Sequence, residues 1–223
     1  MREKIDKIER IRYTTSHPKD MTNDLIEVYK FSKKLMPLVH LPVQSGSDNV
    51  LKLMNRKHTI SEYLKTFDKL KKINPKIEFS SDFILAYPGE SEKDFQDTLE
   101  LIKKVNFINS YSFIFSPRPG TKAENLVQVD KKISMERLEL VQNLLFENQI
   151  QMNKNLENKI IDVLVENLTE DKTKVFGRSE FMTSVIFDGK NEHVGKVVKV
   201  KIKNSNRNTL FGELIHDTKQ KVA

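Results

Sequence analysis

The sequence predicts an open α/β domain followed by a small all-β barrel, and three observations carry that reading. Before about residue 158, short apolar runs alternate with amphipathic helical stretches, the signature of parallel βαβ units. Beyond it, short strand-like runs follow one another with only turn residues between them. The third observation is a deficit: four βα units cannot close an eight-stranded barrel. The first domain is therefore expected to be a partial, open α/β barrel that has lost something on its N-terminal side.

Taken in order, Arg10-Ile-Arg-Tyr-Thr-Thr15 reads as a strand and Met21 to Leu35 as a helix. Leu38-Val-His-Leu-Pro-Val43 is a second strand, with a short helix from Asp48 to Met54 after it. Thr59-Ile-Ser-Glu62 has the form of a capping box and opens a helix to about Ile73. Ile77 to Leu85 is a third strand, ended by Pro88-Gly89. Ser91 caps a helix to Val105, with Glu92 and Asp94 in the first turn where negative charge suits the helix dipole. Ser110 to Phe115 is the fourth strand, closed by Pro117-Arg-Pro-Gly120. A long helix from about Ser134 to Asn155 places Leu138, Val141, Leu145 and Ile150 at roughly helical spacing. Five strands follow: Ile160 to Val165, Thr173 to Gly177, Thr183 to Phe187, Val197 to Lys203 and Thr209 to Ile215. The expected domains are 1–152 and 158–217, with the boundary at 152–158.

Composition narrows the function classes. No apolar run approaches the roughly 18 residues of a membrane span, and Met1 to Arg12 is charged throughout, unlike a signal peptide. No membrane partner is expected, and the expected location is cytoplasmic. Of the 223 residues, 38 are Lys or Arg against 31 acids, a net charge of +7 that favours a polyanion partner. There is no cysteine, which excludes disulfides, a thiol nucleophile and any iron–sulfur cluster held by this chain's own thiolates.

In parallel α/β folds, function gathers at the C-terminal ends of the strands. Four polar segments fall there: Thr14-Thr-Ser-His-Pro18, Gln44-Ser-Gly-Ser-Asp48, Asp82 to Glu90, and Ser116-Pro-Arg-Pro-Gly-Thr121. Such a set suits a cofactor pocket, with the Gln44-Ser45-Gly46-Ser47 turn offering N–H groups and hydroxyls to a ribose or carboxylate. His17 has no partner at ligand spacing, so no metal site is expected there. Asp82 needs a partner if it faces inward. Arg118, between two prolines, either pairs with a carboxylate or phosphate or fastens its loop. In the β domain, Val198-Lys-Val-Lys-Ile-Lys203 puts Lys199, Lys201 and Lys203 on one strand face, with Lys196 and Arg207 nearby. That stripe suits either phosphate binding or a solvated outer face. Phe176, Phe181 and Phe211 suit either base stacking or a barrel core.

Taken together, the strand-end segments resemble the radical S-adenosylmethionine tRNA methylthiotransferases. The resemblance is to the branch (the MiaB type) that makes 2-methylthio-isopentenyl-adenosine next to the anticodon. The arginine-rich Arg10 to Pro18, the run His40 to Arg56, the segment Asp82 to Glu90 and the segment Phe115 to Ala123 match its ordered motifs. The last 65 or so residues resemble a TRAM domain, a small RNA-binding β-barrel, through Gly177-Arg178-Ser179, Val194-Gly195 and Leu210-Phe-Gly-Glu213. The resemblance implies that a tRNA anticodon stem-loop is the partner and S-adenosylmethionine the cofactor. It implies that Gln44, Ser45, Asp82, Ala86, Tyr87, Pro88 and Gly89 surround the cofactor's nucleoside, with Gln44 and Ser45 at the ribose. It also tips the basic stripe towards RNA, giving Arg178, Lys196, Lys199, Lys201, Lys203 and Arg207 as contacts.

Two residues depart from the family pattern: Ala86 stands where Gly is usual, and Met182 where Asn is usual. The complete family enzyme carries two 4Fe-4S clusters on cysteines, and neither is ligated by this chain. The resemblance thus implies a C-terminal portion, a partial radical SAM barrel with a TRAM barrel, inactive alone and with no catalytic residue of its own. A cysteine-bearing N-terminal half or separate chain would complete it. A stand-alone RNA-binding module is the other reading.

Overall fold

The structure is a computed structural model that describes residues 8–14 and 17–215. It divides into two compact units, one ending at Phe146 and the other starting at Glu147. The first unit holds α1 (Asn23–Phe31), β1 (Leu38–His40), α2 (Asp48–Leu53), α3 (Ile60–Ile73), β2 (Glu78–Ser80), β3 (Asp82–Leu85), α4 (Glu92–Val105), β4 (Tyr111–Ile114) and most of α5 (Lys131–Lys154). The expected capping box forms at α3, and at α4, where only the Ser91 cap was expected, a second one forms. The Thr59 side chain accepts from Glu62 N–H while Glu62 reaches back to Thr59 N–H, and Ser91 and Asp94 do the same at α4.

The strands pair in parallel, β1 with β2 and β3 with β4. Gln44 links the two pairs: its N–H donates to Asp82 O at 3.0 Å, and its carbonyl accepts from Ile84 N–H at 2.8 Å. The third strand expected from Ile77 to Leu85 is interrupted at Ser81, and the reason is local. Val43 N–H donates to Ser81 Oγ and Ser81 N–H donates to Ser110 Oγ, both at 2.9 Å. Side-chain hydroxyls thus take the place of two ladder carbonyls at a fully buried residue. The first expected strand is reduced further. Ile11 bridges Leu35 and Thr14 bridges His40, so the pairing partner jumps and no run of successive pairs develops. Thr15 lies outside the described residues, as does Ser16. The core is aromatic at its centre, where Tyr63, Phe79, Phe83 and Phe107 are fully buried with Leu41, Ile77 and Ile102. Tyr63 satisfies its hydroxyl by donating to Leu41 O at 3.0 Å.

The second unit is a closed barrel of β5 (Ile160–Leu168), β6 (Val175–Arg178), β7 (Ser184–Phe187), β8 (Val197–Ser205) and β9 (Thr209–Leu214). The strand order is β5-β6-β7-β9-β8, closed by the antiparallel β5–β8 pair. Valines fill it: Val163, Val165, Val175, Val185 and Val200 pack with Phe187, Ile202 and Leu210. Closure requires glycine at 177, where an added Cβ would lie 2.4 Å from the Leu164 carbonyl. The segment 152–158 lies within this unit. Met152 and Leu156 pack on the barrel core, and Asn153 Nδ2 donates to the Asn206 and Arg207 carbonyls at 2.8 and 2.9 Å. Among the described residues, no helix is long and apolar enough to cross a membrane.

Candidate functional site

Where the strand ends of the first unit meet, they enclose a cleft of about 910 Å³. Its lining includes Gln44, Ile84, Tyr87, Phe113, Phe115 and Arg118. Gln44 adopts φ 75°, a left-handed conformation that a long side chain rarely takes. It holds that conformation because its N–H and C=O are both committed to β3. Tyr87 packs edge-on against Phe115 with ring centroids 4.7 Å apart and donates its hydroxyl to Leu53 O at 3.3 Å. The cleft therefore combines apolar and aromatic walls with the amides of Gln44 and Asn55 and the cations Arg56, Arg118 and Lys122, a lining that suits a small molecule with polar and anionic groups.

The turn after β3 is built by a buried ion pair that sequence reading missed. Ala86, also left-handed at φ 56°, donates its N–H to Glu90 Oε1 at 3.1 Å. The same oxygen accepts from Arg137 Nη1 at 2.7 Å, and both side chains are buried. Burial pushes the Glu90 carboxyl up, against the pull of the Ala86 N–H and the guanidinium. Arg137 also reaches Glu92 at 3.2 Å and lies over the Phe95 ring. Tyr87 and Pro88 are thereby presented by a turn clamped from α5, with Gly89 exposed at its tip. Arg137 sits in an ordinary amphipathic helix 47 positions from Glu90, so no local signal marks it.

Ser45 does not line the cleft. Its hydroxyl lies 3.4 Å from Thr98 Oγ1 and accepts from Ser47 N–H at 3.2 Å. Gly46 is pressed so closely on α4 that an added Cβ would lie 2.4 Å from Thr98 Cα. The hub of this turn is Asp94, which accepts from the Ser47 and Ser91 hydroxyls, from Ser91 N–H and from Asn49 Nδ2. Burial alone would raise its pKa, but these bonds outweigh it and hold the carboxyl down at about 2.

Asp82 finds its partner on the neighbouring strand, with Oδ2 3.6 Å from His40 Nε2. His17 meets His58, Nε2 to Nδ1 at 3.4 Å, with the rings edge to face. Burial, then the charges of His17 and Arg56, lower His58 to about 4 against a backbone bond at Val43, so it is neutral at pH 7. Among the described residues, no group of three or more His, Asp or Glu side chains is placed to hold a metal ion. Arg56, Phe113, Phe115 and Lys122 also line the cleft, without having been singled out as site residues. For Arg56 a signal existed, since it ends the matched run from His40.

On the barrel, Lys199, Lys201 and Lys203 leave β8 on the face opposite the buried Val200 and Ile202. The fold gives two of them acid partners: Lys199 pairs with Asp162 on β5 at 3.0 Å and Lys203 with Glu213 on β9 at 2.9 Å. Lys196 is exposed, and Arg207 donates to Asn208 Oδ1 at 3.2 Å. Arg178 lies 5.0 Å over the Phe176 ring, 3.6 Å from Glu166, and donates to Met182 O at 3.0 Å. Phe176, Ile186 and Phe211 are register neighbours across β6, β7 and β9 and are each half-buried. This places an apolar row on the barrel's outer face, whereas Phe181 is buried.

Comparison with known proteins bears on the domains and the fold. Residues 1–102 match the family model of the Radical SAM superfamily and residues 154–215 that of the TRAM domain. A tRNA-2-methylthio-N(6)-dimethylallyladenosine synthase of Pelagibacter ubique (strain HTCC1062) is 69% identical over 218 residues, covering 98% of this chain and 49% of the relative. The synthase of the same name from Wolbachia pipientis subsp. Culex pipiens (strain wPip) is 47% identical over 212 residues, covering 94% and 48%. Among solved structures, coproporphyrinogen III oxidase from Escherichia coli, a radical SAM enzyme, matches with a TM-score of 0.50 at 13% identity. That match covers 88% of this chain and 49% of the oxidase, and it speaks for the fold alone. The chain spans about half the length of the curated relatives it matches. With the two domain types in this order and near-complete coverage of the chain by such relatives, it is similar to about half of a radical SAM tRNA methylthiotransferase.

Proposed function

We propose that this chain supplies one wall of the S-adenosylmethionine pocket and the RNA-binding barrel of a methylthiotransferase. The substrate would be the isopentenyl-adenosine next to the anticodon of tRNA. The observation that carries the reading is that Gln44 and Tyr87, the latter carried by the clamped turn that starts at left-handed Ala86, line one strand-end cleft. Its volume and mixed aromatic and amide lining suit a nucleoside. In this reading the four parallel segments are part of a radical SAM barrel whose remaining strands come from elsewhere. Gln44 and the Ala86–Gly89 turn orient the cofactor's nucleoside, Asp82 lies deeper on the same sheet, and Ser45 acts by holding the turn. The family's cofactor supplies radical chemistry when bound to its cluster. The residues present do not fit that cluster, because the 223 residues include no cysteine, and its thiolates must come from outside them. The isolated chain therefore does not turn over. On the barrel, Lys196, Lys199, Lys201, Lys203, Arg178 and Arg207 take tRNA phosphates while Phe176 and Phe211 offer ring faces.

The test is complementation. The chain is co-expressed with the cysteine-bearing remainder of a family relative in cells that lack the activity, and hydrolysed tRNA is assayed by mass spectrometry. Methylthiolated adenosine is expected with both parts, at least tenfold less with Gln44→Ala, and none with either part alone. No product from the pair, where the relative's own corresponding half succeeds, overturns the reading.

A further inference from the structure

Strand β4 carries two large rings that the fold leaves in water. Tyr111 and Phe113 are 64% and 54% exposed, although their chain neighbours Ser112 and Ile114 are half-buried. At spacing i, i+2 they share one face of the strand. Their rings lie 17° from parallel with centroids 6.4 Å apart. The register sets Tyr111 beside Asp82 and Phe113 beside Ile84, so this face continues into the cleft that Phe113 and Ile84 line.

The cleft is charged in one sense. Arg56, Arg118 and Lys122 line it, and no carboxylate does. Among the described residues none of these three cations is paired with an acid, although Glu124 lies two positions from Lys122 and is turned to Gly120 N–H at 2.8 Å. Burial holds the Arg56 pKa below its usual value, and the guanidinium stays charged at pH 7. An apolar protein segment laid on the rings would leave these charges without partners, at a desolvation cost. A single-stranded polynucleotide satisfies both features, because bases stack on ring faces and phosphates meet Arg and Lys.

We propose that Tyr111, Phe113, Arg118 and Lys122, with Arg56 behind them, form an RNA-binding subsite on the first unit, separate from the barrel. It takes a stacked base on the β4 rings and its flanking phosphates on the loop cations. The proposal rests on the RNA substrate proposed above for the identity of the strand, while the rings and charges are features of this chain.

The test uses the full chain and a fluorescein-labelled single-stranded RNA decamer of A and U, with anisotropy titrations at several salt concentrations. Three variants are compared: Tyr111→Ala with Phe113→Ala, Arg118→Gln with Lys122→Gln, and Lys199, Lys201 and Lys203→Gln on the barrel. The ring pair is expected to weaken binding roughly fivefold or more at an unchanged salt slope. The cation pair is expected to flatten the log–log slope by about 1.4, at roughly 0.7 per phosphate contact on a single strand. All substitutions are at the surface, so equal melting temperatures confirm that folding is intact. A loss confined to the barrel variant overturns the subsite and leaves the RNA reading standing. An absence of binding by every form, including the unaltered chain at low salt, overturns both. Displacement of the RNA by free S-adenosylmethionine assigns the rings and loop cations to the cofactor and likewise overturns the subsite.

Discussion

Ala86 and Met182, the two departures from the family pattern, share one backbone property: φ is 56° at the first and 63° at the second. Gly and Asn, the residues usual at these positions, are the ones that tolerate left-handed backbone, and other side chains pay about 1–2 kcal/mol there. What each substitution does depends on the side chain lost. Ala86 is buried, so removing its methyl sacrifices about 0.8 kcal/mol and nearly cancels the relief of strain. Met182 in the β6–β7 turn is 38% exposed, so more than half of its longer side chain is covered and its removal also sacrifices packing. Met182→Gly and Ala86→Gly are therefore each expected to leave unfolding free energy within about 1 kcal/mol of unchanged. Urea midpoints at constant m-value measure both. A stabilisation beyond that range at 86 would mean that the methyl at Ala86 is crowded rather than packed.

At the scale of the element, the N-terminus of α4 anchors the Gln44–Asp48 turn, through the Asp94 carboxylate. The folded pKa of about 2 lies below the ordinary 3.8, so the folded state favours the ionised form. The associated stability is fully present above pH 4 and is lost as pH falls from about 4 to about 2, an effect of roughly 2 kcal/mol. Other carboxylates titrate in the same range, so the informative quantity is a difference between proteins. The gap in stability between the unaltered chain and Asp94→Asn should narrow by about 2 kcal/mol between pH 5 and pH 2. A gap that stays constant across that window would show that the bonds from Ser47, Ser91 and Asn49 do not depend on the charge. Loosening this turn should also affect Gln44, whose backbone is fixed on β3 only four positions before Asp48.

At the scale of the molecule, the basic surface is less uncompensated than net charge suggests. Lys199 and Lys203 have cross-strand acid partners, but exposed pairs of this kind contribute only about 0–1 kcal/mol. Phosphates can therefore displace Asp162 and Glu213 at small cost. If all three lysines meet RNA, the Lys199, Lys201 and Lys203→Gln variant should flatten the salt slope by about two, at roughly 0.7 per contact, with little change in sequence preference. An equal slope for the two proteins would identify the stripe as a solvated face balanced by its acids. Retained affinity with a reduced slope would place the remaining binding on the aromatic row of Phe176 and Phe211.

The sequence by itself determined what depends on neighbours along the chain. Thr59 and Glu62 are three positions apart, so their capping box was legible as spacing, as was the Ser91 cap of α4. The alternation from Val198 to Lys203 dictated which side chains enter the barrel, because a strand has a period of two. The strand-end segments that build the cleft were legible too, through βα order and motif resemblance. Tertiary structure alone decided which distant groups meet. Arg137 reaches Glu90 across 47 positions, Ser45 turns to Thr98 across 53, and Lys199 finds Asp162 across 37. The strand break at Ser81 likewise depends on Val43 and Ser110 being in reach. Hydrogen bonds and ion pairs of this kind carry no periodicity, and their partners become neighbours only when the hydrophobic core has brought the elements together.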